Sequence, residues 1–405
     1  MYPHITARSR TIPLEPVLRG GVWVALAVIV MMATDFAAAG EAPLVRLAPD
    51  LFDQNDPASL GLAVLPAEHV LLYKAGARTM KYSHHPHLGV FKNALYAMWS
   101  SGPKDEDSPG QHVVYARSQD GRSWSTPEIL APDPDGPQGP LRRTAGGWWV
   151  AGDQLIAYDT LFAGVKPRPG FKWSEAMRLE ARVSSDGRHW SAPRKVIDNF
   201  MINEAPRPFP SGRLLMTGED ASGTPRLLIS DCGDGLRGWR DTALPRPALA
   251  RLPNEPTWFT PSAGRPRMLF RDDNRSGCLY ASRLNDAETS WSMPLPTDFP
   301  DAQSKARAGN LPGGEAYVIS NPSPNVGRAI LTIALSADGV LFDRAFVLRG
   351  EPVHPAFSDP SKSDGYQYPN SLVWRGWLYV IYSVNKEDVM VSRVRLGRLA
   401  HKSGS

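Results

Sequence analysis

The sequence predicts an all-β chain folded as a propeller of four-stranded blades. Three observations carry this: a turn motif recurring at intervals of 49 to 66 residues, a strand-like segment before each copy, and glycine and proline spread along the whole length. The motif is clearest at residues 118–127, "SQDGRSWSTP", and 184–193, "SSDGRHWSAP", which share Ser-x-Asp-Gly-x-x-Trp-Ser-x-Pro. Looser copies lie at 230–239, "SDCGDGLRGW", at 282–294, "SRLNDAETSWSMP", and at 336–342, "SADGVLF". Their aromatic positions, Trp124, Trp190, Trp239, Trp291 and Phe342, stand 66, 49, 52 and 51 residues apart. That spacing suits one propeller blade per repeat.

Each part of the motif has a reason to sit in a hairpin turn. Asp bonds the backbone of its own neighbours, Gly supplies a positive φ, and the aromatic ring packs between sheets. The preceding segments, "HVVYARS", "RLEARVS", "RLLIS", "CLYAS" and "ILTIALS", alternate or are rich in β-branched and aromatic residues, as strands are. The 38 prolines and 35 glycines suit short strands joined by turns rather than long helices. A hydrophobic share of 42% is ample for a core and excludes a disordered chain. A formal charge of +4 over 405 residues, with no basic stripe, gives no argument for nucleic acid.

At the N-terminus, Arg8, Arg10 and Arg19 precede an apolar run at residues 22–32 and then small residues at Ala37 and Ala39. This reads as a secretory signal over residues 1–39, followed by one domain over 40–400. The run is short for a transmembrane helix, so the mature chain is expected to be secreted or periplasmic, without stable membrane insertion. An uncleaved anchor is the lesser reading. Cys232 and Cys278 are the only cysteines and lack the spacing of a zinc site; a free or optional pair is expected.

The Ser-x-Asp-Gly-x-x-Trp turns resemble the Asp-box, or bacterial neuraminidase repeat, of sialidases, over residues 80–395. The resemblance implies six blades, with seven as the alternative. Asp-boxes also occur in propellers without sialidase activity and lie away from the active site, so they speak for fold.

The stretches between the boxes carry the chemistry. "NEPTWF" is followed by "RMLFRDD", then "YVISNPSPNVGR", then "GYQYPNSLVW". This order resembles the second half of sialidase-like chains. Carried over, it implies Glu255 as the glutamate, Arg271 and Arg328 as the second and third carboxylate-binding arginines, and Tyr368 as the nucleophile. The set is chemically coherent. A tyrosine attacks an anomeric carbon more readily when a carboxylate takes its proton, and arginines bind a sugar carboxylate bidentately. Taken singly, each has an ordinary structural role: Arg271 beside Asp272 and Asp273, Arg328 after a loop, Tyr368 in a buried strand. Their shared order, one per blade, favours the functional role. "NEAPRPF" adds Glu204 and Arg207 as candidate lining, since "NEAP" echoes "NEPT" and inner strands converge at the axis.

On the first blade the family pattern is Arg-Ile-Pro, and the matching stretch is "SHHPHL". Pro86 aligns and His84 stands where the arginine belongs. The family's acidic loop matches "SSGPKDEDSPGQH", whose Asp105, Glu106 and Asp107 are the candidate general acids; a solvated acidic loop is the plainer reading for any one of them.

The histidines of "YSHHPHLGVF" have three readings. In a regular strand His85 and His87 share one face and His84 takes the other. A metal site needs a further convergent ligand, and no second His or Cys cluster exists, so metal is the least favoured reading and no cofactor is expected. A structural pair near the axis is the second. The third is catalytic: histidine titrates near neutrality, and related propellers include lyases that use His, Tyr and Arg on uronic acids. The leading expectation is an exo-glycosidase acting on a terminal acidic sugar of a glycan, sialic acid by family default. The alternatives are a lyase or hydrolase on uronate polysaccharide built on His85, Tyr368 and Arg271, and a non-catalytic glycan-binding propeller.

Overall fold

A computed structural model describes residues 43–400, apart from 134, 137–138 and 163–175. The expected signal segment lies outside the described residues. Among those described there is no helix long and apolar enough to cross a membrane.

Six four-stranded antiparallel sheets form six blades. Blade 1 runs through Tyr82–Phe91, Ala94–Gly102, His112–Ser118 and Glu128–Ala131. Blade 2 comprises Arg142–Ala151, Gln154–Phe162, Arg178–Ser184 and Arg194–Asp198, and blade 3 Met201–Pro208, Leu214–Glu219, Pro225–Ser230 and Arg240–Asp241. Blade 4 follows with Asn254–Phe259, Arg267–Arg271, Cys278–Arg283 and Leu295–Pro300, and blade 5 with Arg307–Asn310, Ala316–Ser320, Leu331–Ser336 and Arg344–Arg349. Blade 6 holds Tyr366–Trp374, Trp377–Val384 and Asp388–Arg395 and takes its outer strand, Glu68–Tyr73, from the beginning of the chain. That strand pairs antiparallel with the last one, Glu68 opposite Arg393, and so closes the ring. The first strands of successive blades touch one another around the whole circle, which makes them the axial strands.

The core is distributed between blades. Each neighbouring pair shares at least one apolar cluster, for example Tyr96, Tyr115, Trp148 and Leu155 between blades 1 and 2, and Phe259, Val318 and Phe342 between blades 4 and 5. The Asp-box turns feed these clusters. In blades 1, 2 and 5 the box serine (Ser118, Ser184, Ser336) accepts a bond from the box glycine N–H at 2.8 Å. The box aspartate accepts from two further N–H groups, at 2.8 Å each in blades 1 and 2. The degenerate copies keep the geometry with other residues: Asn285 Oδ1 accepts from Thr289 and Ser290 in blade 4, and Ser230 Oγ accepts from Cys232 N–H in blade 3. The glycine is required twice over. Gly187 has φ 69, and a Cβ there would collide with the ring of Tyr96 on the preceding blade. Cys232 and Cys278 are both free thiols.

Candidate active site

Three axial strands share one backbone device. His85 (φ 52), Glu255 (φ 48) and Tyr368 (φ 53) all occupy the left-handed region, and each is followed by proline: Pro86, Pro256 and Pro369. At each point the register with the second strand slips, between His84 and His87, Asn254 and Thr257, and Gln367 and Asn370. Proline has no N–H to lose from the ladder, so a bulge fits there. A left-handed conformation costs a residue with a side chain roughly 1–2 kcal/mol, and such strain gathers at functional sites. The bulges bring the three side chains together.

Tyr368 donates its hydroxyl proton to Glu255 Oε1. Arg271 Nη1 donates to Glu255 Oε2 at 2.7 Å and to the Tyr368 hydroxyl at 3.0 Å. Arg271 is itself held through Nε, 3.0 Å from Asp273 Oδ1. Burial opposes charge on Glu255, but Arg271, Lys305 and the two hydrogen bonds outweigh it and bring its pKa down to about 2. Burial and then the Glu255 charge push the Tyr368 phenol well above its usual value. The pair therefore rests as carboxylate and neutral phenol.

Arg328 stacks its guanidinium 5.6 Å from the Tyr368 ring and bonds Gln367 Oε1 at 2.7 Å. Arg271 and Arg328 line one pocket together with Gln303, Ser361, Lys362 and Lys386. Lys305 approaches Tyr368 from another side, 5.9 Å from its ring, with its ammonium on the Asn203 carbonyl. Burial lowers the Lys305 pKa, against the pull of Glu255 and Glu204. Another pocket, lined by Asp220, Arg226, Asp241, Leu244, Pro247 and Pro294, shares no residue with this cluster.

The bulge at His85 overturns the simple alternation expected for the histidines. His84 and His85, not His85 and His87, come together, with ring centroids 4.5 Å apart. Both flank Tyr368, at 4.1 and 5.3 Å. The inserted residue resets which face each side chain takes. His87 instead packs against Gly147 of blade 2. His84 Nδ1 lies 2.7 Å from Ser383 Oγ, and His85 Nδ1 lies 3.3 Å from Ser100 Oγ. Burial holds both rings neutral, His85 at about 4.

The acidic loop divides its duties. Asp105 accepts from the N–H of Glu106 at 2.7 Å and of Ser361 at 3.2 Å, tying two loops together. Asp107 faces Arg142, 3.4 Å from its Nε. Only Glu106 reaches the cluster: its Oε1 is 3.6 Å from His85 Nε2 and 4.0 Å from His84 Nε2, and its Oε2 takes a 2.5 Å bond from Lys386. Glu204 and Arg207 meet each other at 2.9 Å, and Arg307 closes on the second Glu204 oxygen at 2.9 Å. Arg207 also spends its guanidinium on the carbonyls of Ala308 and Trp258. Glu204 is thus a buried carboxylate paired with two arginines, of which Arg207 stays partly exposed.

Residues 93–380 match the profile of the BNR repeat-like domain. The chain belongs to this family. Among solved structures it superposes on a sialidase with a TM-score of 0.66 at 19% identity, covering 87% of this chain and 35% of that one. A mutant Trypanosoma rangeli sialidase displaying trans-sialidase activity gives a TM-score of 0.62 at 13% identity, with 84% and 60% covered. The intramolecular trans-sialidase of Ruminococcus gnavus, solved with oseltamivir carboxylate, gives 0.62 at 12% identity, with 85% and 99% covered. The chain thus spans between about a third and three-fifths of the first two of these proteins. No curated protein matches. At these identities the superpositions speak for the six-bladed fold, and the chemistry of this BNR repeat-like protein rests on its own residues.

Lys305, Arg307, Lys386 and Ser383 were not singled out from sequence. Lys305 and Arg307 sit in "SKARAGN", where the fifth axial strand begins, a position the blade spacing alone could have flagged.

Proposed function

We propose that this protein is a secreted exo-glycosidase of the sialidase superfamily that hydrolyses a terminal acidic sugar, sialic acid by default. The observation that carries the reading is the Tyr368–Glu255–Arg271 triangle. In this reading Tyr368 Oη attacks the anomeric carbon and the glycosidic bond breaks. The phenol proton passes to Glu255 as the new C–O bond forms, because bonding strips electron density from the oxygen and collapses its pKa. Water then displaces the tyrosine, giving its proton to the Glu106 carboxylate left by the first step, while Tyr368 regains its own proton from Glu255, and the sugar leaves with its configuration retained.

Arg271 and Arg328 would hold the substrate carboxylate, with Lys386 in the same pocket standing in for the cation that His84 does not supply. Glu106 is the carboxyl of the acidic loop placed to protonate the leaving oxygen. At rest it is ionised: burial would raise its pKa, but the charge and hydrogen bond of Lys386 outweigh it and lower it. A substrate carboxylate that draws Lys386 away would let burial dominate and raise the Glu106 pKa, which is what a general acid needs.

A second reading, a lyase on uronate polysaccharide, is favoured by one observation: His85 is set beside Tyr368 by the same strained bulge. One experiment tests both. The purified protein is incubated with sialosides and with uronate polysaccharides, and products are read as reducing sugar and as ultraviolet-absorbing unsaturated sugar. Free sialic acid supports the first reading, unsaturated uronate the second, and neither product would sink both and leave a glycan-binding propeller. Export is part of the proposal, supported by the apolar run after three arginines; a mature protein that still begins at Met1 would contradict it.

A further inference from the structure

We infer that His84, His85 and Glu106 form a binding site for a divalent first-row transition cation, zinc in the first instance. The inference rests on ligand geometry and stands apart from the glycosidase reading. One ligand atom from each residue lies within 4.8 Å of the others. The separations from Glu106 Oε1 are 3.6 Å to His85 Nε2 and 4.0 Å to His84 Nε2. Ligands of a tetrahedral zinc, bound at about 2.0–2.2 Å, stand about 3.4 Å apart. The two separations from Glu106 are therefore about 0.2 and 0.6 Å wider than in a filled site, within the reach of small rotations of the two rings.

The second observation is the state of His84. Its side chain is fully buried, and Nε2 has no hydrogen-bond partner among the described residues. Its other nitrogen is committed. Ser383 Oγ donates to the Gln367 carbonyl, so it accepts from His84 Nδ1–H at 2.7 Å. With the proton on Nδ1, the Nε2 lone pair has no donor among the described residues and lies 4.0 Å from Glu106 Oε1. A cation between them would satisfy the buried nitrogen, which has no partner among the described residues. The bond at the far nitrogen is also what orients a metal-ligating imidazole. His85 repeats it, with Nδ1 on Ser100 Oγ and Nε2 toward Glu106. Two histidines and one carboxylate on a single face leave coordination positions open for water or substrate. Lys386 holds Oε2 of Glu106, and Oε1, which also accepts from the Tyr82 hydroxyl at 3.4 Å, is the oxygen that faces the rings. Occupancy would engage Glu106 and so suppress any hydrolysis that depends on it.

The test is metal content, read without any activity assay. The full protein is stripped with a chelator, loaded with Zn²⁺, freed of excess by gel filtration, and analysed for zinc. One equivalent per chain is expected, and Co²⁺ substitution should give visible d–d absorption. His85→Ala and Glu106→Gln should each weaken Zn²⁺ binding at least about 10-fold while keeping wild-type melting behaviour in the metal-free state. His189→Ala, which removes an exposed histidine paired with Asp186 on an Asp-box turn, should leave the stoichiometry unchanged. Absence of retained zinc in the wild type, or undiminished binding in both variants, overturns the inference, as would loss of the equivalent in His189→Ala. If zinc binds and the metal-free protein cleaves no glycan, the site stands and the glycosidase reading falls.

Discussion

The hydroxyl of Tyr368 and the carboxylate of Glu255, 113 residues apart and carried by blades 6 and 4, share one hydrogen bond at the propeller axis, and Arg271 bonds to both. Each of the two carbon chains is aimed there by a left-handed residue before a proline. The relationship makes the nucleophile directly testable. Tyr368→Phe should lower kcat on an aryl sialoside by at least about 10³-fold while the melting temperature stays close to that of the wild type, since Glu255 keeps its bond from Arg271. Hydrolysis surviving the change would remove Tyr368 from the mechanism.

Glu255→Gln should reduce kcat by about 10²–10⁴-fold. It should also change acid stability. Because the folded pKa of Glu255 is depressed to about 2 from 4.5, its contribution is present above pH 4.5 and is lost as pH falls toward 2. Urea melts at pH 6 and pH 3 should show a smaller loss for the variant than for the wild type.

The three acidic loop residues should separate by leaving group. Glu106→Gln should slow an alkyl-linked glycan by about 10²-fold or more and an activated aryl glycoside far less, because a good leaving group needs no proton. Asp107→Asn, whose partner is Arg142, should slow neither. Equal effects of Glu106→Gln on both substrates would deny it the acid's role.

Asp301 titrates in the other direction. Burial raises its pKa to about 7, against the N–H bonds it accepts from Asp272 and Ser304. An acid whose folded pKa is raised stabilises the fold below its unfolded value, near 4, and that contribution disappears as pH climbs to 7. The wild type should lose stability between about pH 4 and pH 7, on the order of 2–4 kcal/mol, and Asp301→Asn should flatten that slope in chemical denaturation.

Gly187→Val tests the Asp-box. The left-handed backbone and the overlap with Tyr96 should together cost about 2–4 kcal/mol, seen as a lowered melting temperature. The change lies on the outer turn of blade 2, so residual folded protein should keep its kcat.

The fold was legible because its repeat is made of local turns, whose chemistry is written in adjacent residues such as Ser118, Asp120 and Gly121. That Glu255, Arg271, Arg328 and Tyr368 come together was legible from their order along the chain, but they do not stand one per blade: Glu255 and Arg271 share blade 4. The histidines were misread because a bulge at His85 changes which face a side chain takes, and periodicity cannot register an inserted residue. The recurrence of a residue–proline step in "HHP", "NEP" and "QYP" was the available signal. Glu106 could not be told from Asp105 and Asp107, because three adjacent carboxylates are distinguished only by partners from distant blades: Ser361, Lys386 and Arg142.

The strand Glu68–Tyr73, which completes blade 6, has a consequence for biogenesis. It leaves the ribosome before any blade exists and meets its partner, Asp388–Arg395, only when nearly all of the chain has been made. The ion pair that fastens it, Glu68 to Arg393, spans 325 residues. Such a contact incurs the loop-closure entropy of almost the whole molecule and forms late. Until then the edge of Asp388–Arg395 is an open template for another chain, so the newly made protein passes through a period in which a foreign strand can take the seat of its own first one.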